Sequence, residues 1–222
     1  MKIKKRTQVI IPVFNEERSL ESLIPFLKYY NRSEFIFIND GSIDGTKEIV
    51  NKYQFNSIDI EENRGKGNAI SVGTKYAVEH GKNWVITMDG DLQHPPELIP
   101  QFDDDGKLEI KLGWRKNRET MPLFRKLSNI LTSLLLSIRS NTLIKDSQCG
   151  YRGFPAEIYL KCNNREPGFH MESEFLIKAC ILGITINHIE IPTIYNESKS
   201  SMNYVPDLMK FISLWIKSFL WT

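Results

Sequence analysis

Cysteines are scarce in this sequence, and none of them forms a close pair. Cys149, Cys162 and Cys180 are the three in 222 residues, and no C-x-x-C spacing occurs. An odd number of scattered thiols suits a reducing compartment better than a disulfide framework. The cysteine usage therefore predicts a cytoplasmic protein.

Long apolar runs are also missing. None reaches the roughly 18–20 uncharged residues that a membrane-spanning helix requires, and Lys210 and Lys217 interrupt the apolar segment near the carboxyl end. The basic start, Met1 to Arg6, leads into a strand-like stretch instead of the apolar core of a secretion signal. We therefore expect neither a membrane span nor a secretion signal.

Two nucleotide-binding signatures are absent as well. The chain has no G-x-x-x-x-G-K-[ST] loop, and no G-x-G-x-x-G follows its first predicted strand. These absences argue against a kinase, a GTPase or a dinucleotide dehydrogenase. A net charge of +2 does not by itself indicate nucleic acid binding. With 41% apolar and 25% charged residues, the composition is that of a globular domain.

The sequence does contain an alternation of β-rich and amphipathic segments. In the first half it predicts strands at 8–12, 34–39, 57–61 and 84–89 and helices at 17–29, 46–53 and 67–80. Repeated strand–helix–strand units indicate an α/β fold with a mostly parallel central sheet flanked by helices. The second half is less regular, with a strand at 108–113 and amphipathic helices at 123–138 and 205–221.

A pair of carboxylates follows the fourth predicted strand, in Asp89-Gly90-Asp91. Two carboxylates at one strand end can converge on a hard divalent cation, and Gln93 can add a neutral oxygen. Mg²⁺ usually takes few protein carboxylates and completes its shell with water and substrate phosphates, so this sparse set suits a metal-bound diphosphate. An isolated D-x-D is more often a solvated turn. Its place at the carboxyl edge of the sheet favours a site for Mg²⁺ or Mn²⁺.

Other strand ends carry polar residues with two interpretations each. Asp40 ends the second strand and can accept hydrogen bonds from a base or ribose, with Gly41 allowing close backbone approach. Glu16 follows the first strand, where it either contacts a ribose or is an early-helix charge favoured by the helix dipole. Each of these motifs alone is also a common turn or helix start.

Four strand-end motifs occur in a particular order and spacing. They are Pro12-x-x-Asn15-Glu16, Asn39-Asp40-Gly41-Ser42-x-Asp44-Gly45-Thr46, Asn63-x-Gly65-Lys66-Gly67-x-Ala69 and Met88-Asp89-Gly90-Asp91-Leu92-Gln93-His94-Pro95-Pro96-Glu97. Together they resemble the motifs of family 2 glycosyltransferases, which have the Rossmann-like GT-A fold. Further segments are similar to the branch of dolichyl-phosphate mannose synthases and bacterial polyprenyl-phosphate glycosyltransferases: Gly113-x-Arg115, Asp146-x-Gln148-Cys149-Gly150-Tyr151-Arg152, Met171-Glu172-Ser173-Glu174 and Ile191-Pro192.

The resemblance implies one GT-A domain over residues 1–222. Its nucleotide-sugar-binding half would be 1–102, its acceptor half 103–204, and its C-terminal amphipathic helix 205–222. The residues implied to hold the nucleotide sugar are Pro12, Phe14, Glu16, Asp40, Lys66, Asp89 and Gly90. Those implied to hold the metal are Asp89, Asp91 and Gln93. The reaction is similar to that of inverting glycosyltransferases, in which an acceptor oxygen displaces the nucleotide in one step and a cation stabilises the leaving diphosphate.

The acceptor half carries positive charge that the whole-chain value hides. Between Lys107 and Lys126, seven basic residues stand against two acidic ones, Glu109 and Glu119. This segment leads into the helix at 123–138, and a basic stretch beside an apolar helical face is typical of a protein lying on an anionic membrane. The competing interpretation is that the helix packs its apolar face on the sheet. For the helix at 205–221, a dimer contact is a third possibility.

Two acceptor classes remain open. A lipid phosphate is already anionic and needs positive partners. The candidates are Arg115, Arg152 and Lys199. A sugar hydroxyl needs a carboxylate base within hydrogen-bond reach. The candidates are Asp146, Glu172 and Glu174, of which the two glutamates could instead be structural partners of Arg152. Gln148 is placed on the acceptor side by its motif.

The leading hypothesis is a metal-dependent transfer of a hexose from a UDP- or GDP-linked sugar to a polyprenyl phosphate, dolichyl or undecaprenyl. The residues expected to be catalytic are Asp91, Arg115, Asp146 and Arg152. One alternative is a soluble glycosyltransferase that extends a cell-surface polysaccharide at a sugar hydroxyl. Another is a non-catalytic sugar-nucleotide-binding subunit. The expected location is the cytoplasm, with peripheral contact on the cytoplasmic face of a membrane as one option. A homodimer and a membrane partner subunit are both left open as partners.

Overall fold

The computed structural model describes residues 2–166, 168, 170–194 and 204–221. Within these ranges the strands are β1 (Thr7–Val13), β2 (Phe35–Asp40), β3 (Asn56–Ile60), β4 (Trp84–Thr87), β5 (Glu109–Arg115), β6 (Arg152–Pro155) and β7 (Thr185–Ile191). The α-helices are α1 (Glu17–Leu27), α2 (Thr46–Lys52), α3 (Lys66–Glu79), α4 (Ile99–Phe102), α5 (Leu123–Ser140), α6 (Ala156–Lys161), α7 (His170–Ile181) and α8 (Tyr204–Lys217).

All of these strands join one sheet in the order β3-β2-β1-β4-β6-β5-β7. The four strands from β3 to β4 are parallel, β6 runs antiparallel to both of its neighbours, and β7 is parallel to β5. The predicted α/β fold with a mostly parallel sheet is therefore confirmed. β6 and β7 were not predicted, and β4 ends at Thr87 rather than at Asp89.

β1 shows why the central strands are apolar at nearly every position. Val9 and Ile11 pack in the same core cluster as Leu20 of α1, on one face of the sheet. Ile10 packs in the other cluster, where α3 approaches so closely that a Cβ at Gly73 would lie 2.6 Å from the Ile10 side chain. A strand that is covered on both faces needs apolar side chains in both directions. Because β1 to β4 are parallel, the loops that follow them lie at the same edge of the sheet.

Helix α5 is amphipathic as predicted, but its apolar stripe does not pack on the sheet. Its buried side chains are Asn129, Thr132, Ser133 and Leu136, three of which are polar. Most of its large apolar side chains point to solvent, with Leu123 at 68% and Phe124 at 73% exposure. The competing interpretation of this helix as a core-facing element is therefore wrong. None of the helices in the described ranges is long and apolar enough to cross a membrane.

Candidate active site

A cleft of about 1010 Å³ opens beside the carboxyl ends of β1, β2 and β4. We call it the strand-end cleft. Every residue predicted to hold the nucleotide sugar lines it, together with the second aspartate of the D-x-D motif: Pro12, Phe14, Glu16, Asp40, Lys66, Asp89, Gly90 and Asp91. The structure thus brings together residues that are up to 79 positions apart in the sequence, from Pro12 to Asp91.

The loops after β1 and β2 are tied to each other by side chain–backbone hydrogen bonds. The Asn15 backbone N–H donates to Ser42 Oγ at 2.9 Å, and Asn15 Oδ1 accepts from the Ile43 N–H at 2.9 Å. The Glu16 N–H donates to Thr46 Oγ1 at 2.8 Å. These bonds explain why the first two motifs carry Asn, Ser and Thr at these positions, because the side chains replace backbone partners that a loop lacks. Together they fix one wall of the cleft.

Asp40 ends β2 and holds the loop that leads into α3. Its Oδ1 accepts from the Arg64 N–H at 3.0 Å and its Oδ2 from the Gly65 N–H at 2.7 Å. Gly41 has φ +76°, and a Cβ there would lie 2.7 Å from the backbone nitrogen of Asn63. The Asp40-Gly41 pair therefore joins the β2 end to the Asn63–Gly67 motif, in addition to lining the cleft.

Asp89 is paired with a lysine from α3. Lys66 Nζ lies 2.7 Å from Asp89 Oδ1 and 3.2 Å from Glu172 Oε1. Burial would raise the pKa of Asp89, but the adjacent ammonium outweighs it and lowers that pKa to about 2. Burial would likewise lower the pKa of Lys66, but Asp89 and Glu172 outweigh it and raise that pKa. Both groups are therefore charged at neutral pH.

The pKa of Asp91 is shifted in the opposite direction, although Lys66 and the Gln93 backbone lower it in part. Burial and the charge on Asp89 raise the pKa of Asp91 to about 6. Its Oδ1 accepts the Gln93 backbone N–H at 3.0 Å, across a residue, Leu92, with φ +67°. Gln93 does not line the cleft, so the structure brings Asp89 and Asp91 to it and leaves Gln93 in the adjoining turn.

The oxygen ligands here fit a divalent cation that takes part of its shell from a diphosphate. Within the described ranges, no group of three or more His, Cys, Asp or Glu side chains forms a protein-only metal cage. Asp91 instead offers a half-buried carboxylate with a raised pKa, which suits a ligand whose positive counter-charge arrives with the metal-bound substrate. Mg²⁺ and Mn²⁺ both accept such an incomplete set of protein oxygens.

His94 forms a hydrogen bond that supports the backbone of the D-x-D loop. Its Nδ1 accepts the Asp89 backbone N–H at 2.9 Å, and its ring stacks on Tyr151 with the centroids 4.8 Å apart. Burial lowers the pKa of His94 to about 4, so the ring is neutral at pH 7. A neutral ring whose Nδ1 accepts a hydrogen bond carries its proton on Nε2. His94 thus fixes the loop rather than binding the cation.

Asp146 is buried and fully engaged. Arg115 donates from Nε to Asp146 Oδ2 at 2.8 Å and from Nη2 to Asp146 Oδ1 at 2.9 Å. Asn129 Nδ2 donates to Oδ1 at 2.6 Å. Burial would raise the pKa of Asp146, but Arg115 and Asn129 hold it below the usual value. Asp146 lines neither the strand-end cleft nor the helix cavity described below.

Arg152 is equally buried, at 2% exposure. Its guanidinium donates to the carbonyl oxygens of Cys149, Ser147 and Glu172 at 2.8, 2.9 and 3.0 Å. These three carbonyl oxygens accept hydrogen bonds from the guanidinium N–H groups that a bound phosphate would otherwise use. In this structure Arg152 holds the loop before β6 against the start of α7.

Glu172 and Glu174 are separated although they are two residues apart. Glu172 is buried and its carboxylate faces Lys66. Glu174 pairs with Lys178 at 2.6 Å and accepts the backbone N–H groups of Arg165 and Glu166, both at 2.8 Å. The side chain of neither glutamate forms one of the hydrogen bonds made by the Arg152 guanidinium, so their expected pairing with that side chain is not what the structure shows. Lys199 lies outside the described residues.

A second space adjoins the strand-end cleft. This helix cavity, of about 110 Å³, lies among α5, α7 and α8 and is lined by Ser128, Thr132, Gln148, Glu172, Leu208 and Phe211, with others. Lys66 and Asp89 line both spaces. Gln148 Nε2 donates to Ser128 Oγ at 3.2 Å and to Thr132 Oγ1 at 3.3 Å. The predicted acceptor-side residue Gln148 thus lines the same cavity as Asp89, one of the predicted metal ligands.

A basic pocket of about 700 Å³ lies at the end of β5, near the first turn of α5. We define it by Trp114, Arg115, Lys116, Asn117, Arg118, Glu119, Lys126 and Lys145. Five of these residues are basic and one is acidic, so the pocket attracts anions. The Lys145 ammonium lies 4.4 Å from the centroid of the Trp114 ring. No residue of the basic pocket lines the strand-end cleft.

Comparison with known protein families identifies the family to which this chain belongs. The family model described as glycosyl transferase family 2 matches residues 8–157, which is more than half of the 222-residue chain and contains the D-x-D loop and most of the cleft-lining residues. The chain belongs to glycosyl transferase family 2. The family expected from the strand-end motifs is therefore confirmed, and the chain is a glycosyltransferase.

Relatives of this family 2 glycosyltransferase include archaeal proteins of similar length. An uncharacterised protein of Methanocaldococcus jannaschii is 31% identical over 228 residues, covering 92% of this chain and 98% of the relative. The UDP-N-acetylglucosamine–dolichyl-phosphate N-acetylglucosaminyltransferase of Methanococcus voltae is 30% identical over 220 residues, covering 87% of each. The expected similarity to polyprenyl-phosphate glycosyltransferases is thereby confirmed.

Solved structures agree on the fold. Glucosyl-3-phosphoglycerate synthase from Mycobacterium tuberculosis, in complex with Mn²⁺, UDP and glucosyl-3-phosphoglycerate, superposes with a TM-score of 0.67 at 17% identity. The superposition covers 96% of this family 2 glycosyltransferase and 78% of the other chain. At this identity the likeness shows the fold alone, and it confirms the expected GT-A fold.

Two contacts in the site of this glycosyltransferase were not predicted from its sequence. The contact between Lys66 and Glu172 joins residues from opposite halves of the chain, and no local pattern indicates it. Asn129 binds Asp146 from the polar stripe of α5. Asn129, Thr132 and Ser133 are also spaced so that they share one face of a helix. This spacing indicates a buried polar face only if the apolar face of α5 is taken to be exposed.

Proposed function

We propose that this glycosyltransferase moves a hexose from a nucleotide-diphosphate sugar to a polyprenyl phosphate. The nucleotide would bind in the strand-end cleft, with Phe14, Glu16 and Asp40 on the nucleoside side. Asp91, with Asp89 and Gln93 nearby, would hold the Mg²⁺ or Mn²⁺ on the diphosphate. The cation supplies charge stabilisation to the departing diphosphate. The observation that carries the acceptor assignment is the apolar face of α5, exposed beside the basic pocket.

The position of α5 supports a lipid acceptor. One side of the helix binds the 146–148 loop through Asn129, Thr132 and Ser133 and borders the helix cavity, which shares Lys66 and Asp89 with the cleft. Its other side exposes apolar residues. A polyprenyl chain that lies along this face in a membrane would bring its phosphate to the edge of the helix cavity. Such a route requires no entry of the apolar chain into water.

The state of two of the three candidate bases, Asp146 and Glu174, also favours a phosphate acceptor, while the third, Glu172, faces the Lys66 ammonium. A hydroxyl acceptor needs a carboxylate with a free oxygen directed at it. Asp146 is occupied by Arg115 and Asn129, and Glu174 by Lys178 and two backbone groups. A phosphate monoester carries its own negative oxygen and needs no base. We therefore place Arg115 and Arg152 as positioning residues of the acceptor side, with Lys199 kept as a predicted phosphate contact.

Membrane attachment follows from the same surface. We place α5 and α8 at the interface, because α8 also exposes Met209 and Ile216 while it buries Phe211 and Leu214. Basic residues beside an apolar helical face are the combination that binds anionic bilayers. This would hold the protein peripherally on the membrane that contains its acceptor. The relative from Methanococcus voltae is named for a dolichyl-phosphate acceptor, which agrees with this assignment.

The proposal is tested by incubating the purified protein with Mn²⁺ or Mg²⁺, a panel of radiolabelled UDP- and GDP-sugars, and vesicles that contain a polyprenyl phosphate. We expect label in the organic phase with one donor, and none with EDTA. Transfer to a free oligosaccharide instead would support the soluble, polysaccharide-extending alternative. Tight nucleotide-sugar binding without turnover on either acceptor would support the non-catalytic subunit. The Asp91→Asn variant is the matched control, because it keeps the side-chain size and removes the expected ligand charge.

A further inference from the structure

Lys66 lies between two carboxylates, Asp89 and Glu172, at the boundary between the strand-end cleft and the helix cavity. Its ammonium lies 2.7 Å from Asp89 and 3.2 Å from Glu172. Lys66 and Asp89 line both the strand-end cleft and the helix cavity, whereas Glu172 lines the helix cavity and not the cleft. A positive charge is therefore built into the predicted metal site, and it is held from the side that faces away from the nucleotide.

The backbone around this lysine is fixed. Gly65, the residue before Lys66, donates its N–H to Asp40 at 2.7 Å, which anchors the start of α3. Arg152 donates to the carbonyl oxygen of Glu172 at 3.0 Å, which anchors the start of α7. The two anchors leave the side chain of Lys66 as the part of this arrangement that can move. The Lys66 side chain is 17% exposed and lines the strand-end cleft, so its ammonium can reach a ligand bound there.

Gly150 leaves the space in which the ion pair sits. A Cβ at this position would collide with Lys66 Nζ and would lie 2.8 Å from Asp89 Oδ2. The carbonyl of Gly150 accepts from Thr87 Oγ1 at 2.8 Å, so the loop cannot withdraw without losing that bond. The pair is therefore packed directly against the backbone of the loop before β6.

The ammonium and a divalent cation are alternative partners for Asp89. Two cations that share one carboxylate repel each other, and the repulsion is strong in a buried site. A nucleoside diphosphate changes the balance, because its oxygens offer the ammonium a new anionic partner within the cleft. Glu172 is out of the cleft and buried, so it keeps its contact with the lysine in either arrangement.

We propose that Lys66 is an exchangeable counter-ion of the site: it neutralises Asp89 until a nucleoside diphosphate binds, and it then turns to the diphosphate while Glu172 holds it. Asp89 becomes available to the cation only in that second arrangement. Glu172 is a positioning residue for Lys66 and not a base. This inference rests on the proposed function in taking the strand-end cleft as the nucleotide site.

The first test measures the two ligands separately in the Lys66→Met variant. Mn²⁺ binding without nucleotide is followed by electron paramagnetic resonance, and UDP and GDP binding in EDTA by calorimetry. We expect the variant to bind Mn²⁺ at least tenfold more tightly than the wild type, because the competing ammonium is gone. We expect it to bind the nucleoside diphosphate at least tenfold more weakly. Lys66→Gln should give the same two signs.

Lys75→Met is the matched control, since Lys75 is an exposed lysine on the same helix outside the cleft. We expect it to change neither affinity. A lysine that only stabilises the fold would lower both affinities or neither, so opposite shifts are the distinguishing result. If Lys66→Met and Lys66→Gln bind Mn²⁺ no better than the wild type, the inference is wrong.

The second test uses Glu172→Gln with Glu174→Gln as its partner control on α7. Loss of a negative charge alone would strengthen nucleotide binding, whereas loss of the support for Lys66 would weaken it. We expect Glu172→Gln to bind UDP or GDP in EDTA about fivefold more weakly and Glu174→Gln to be unchanged. Tighter binding by Glu172→Gln would overturn the positioning role. A wild type that binds no nucleotide even with Mn²⁺ would instead contradict the proposed function itself.

Discussion

Arg115 and Asp146 form a two-bond ion pair that joins the end of β5 to the loop before β6. The Nε–Oδ2 and Nη2–Oδ1 distances are 2.8 and 2.9 Å, and the aspartate is completely buried. The backbone N–H of Arg115 also donates to Oδ2, at 3.2 Å. Both oxygens of the carboxylate are therefore occupied from one side. Asp146 orients Arg115 at the edge of the basic pocket, and we infer that its role in the reaction is exerted through that arginine.

Replacing Asp146 by Asn should destabilise the protein before it affects any chemistry. The Arg115 guanidinium would lose its buried counter-charge, and breaking such a pair costs about 3 kcal/mol. The free energy of unfolding in urea measures the loss. Glu190→Gln is the control, because Glu190 is an exposed partner of the exposed Lys116 and should change stability by less than about 0.5 kcal/mol. A variant at Asp146 that is as stable as the wild type yet inactive would restore the hydroxyl-acceptor interpretation.

The stability of the protein should depend on pH through Asp91. Its pKa is 3.8 in the reference state and about 6 in the folded protein, so the folded state binds a proton more tightly. The contribution of Asp91 to stability is then fully present below about pH 4 and decreases as the pH rises through about 6, by about 2–3 kcal/mol in total. Asp91→Asn should match the wild type near pH 4 and exceed it near pH 7.

Urea unfolding of both proteins at pH 4, 5.5 and 7 measures this difference. The comparison between variants is needed because His94, whose pKa is lowered to about 4, has the opposite effect over a similar range. An advantage of Asp91→Asn that stays constant from pH 4 to 7 would show that Asp91 does not titrate as described.

Gly150→Ala should damage the site far more than an ordinary loop glycine would. The added methyl group would displace the Lys66–Asp89 pair, so we expect nucleotide binding with Mn²⁺ to weaken at least tenfold. Gly81→Ala separates backbone strain from this clash, because Gly81 has φ +72° but nothing within 4 Å of the added Cβ. The control should lose about 1 kcal/mol of stability and retain binding. Calorimetric titration decides between them, and equal binding by the two variants would contradict the close packing.

Membrane binding should depend on the exposed face of α5. Leu134 is 55% exposed, and burial of a leucine side chain in the interface contributes about 1.5–2 kcal/mol. Leu134→Gln should therefore reduce sedimentation with anionic vesicles about tenfold. Phe26→Gln, at a similarly exposed position on α1, should have no effect. Equal losses in both variants would indicate non-specific adsorption rather than a defined face.

The first half of the fold was predictable because its strands and its site follow local rules. The run from Val9 to Val13 is apolar because both faces of the strand are covered, and Asp40 and Asp89 follow strands whose ends meet at one edge. β6 was not predictable in the same way. Its sequence, Arg152 to Pro155, is short and begins with a buried arginine that only the surrounding carbonyls make tolerable.

Orientation and long-range pairing account for the rest. The periodicity of α5 establishes an apolar face but does not say whether the core or the surroundings receive it, and here the polar face is buried by Asp146 and Ser147. Likewise, the sequence shows Glu172 only as an acidic residue of a helix, and its contact with Lys66 becomes evident only in the folded structure. Residues with one local interpretation were predicted, and residues whose role depends on a distant partner were not.

A competition between polyprenyl phosphate and the corresponding polyprenol, offered in the same vesicles with Mn²⁺ and the active nucleotide sugar, tests which oxygen attacks the sugar. The two lipids differ in the phosphate group, whose anionic oxygen is the proposed attacking atom. We predict that the sugar is transferred to the phosphate alone, giving a lipid-linked sugar phosphodiester. Transfer to the polyprenol hydroxyl, or to a saccharide hydroxyl in preference to both, would contradict the proposed reaction.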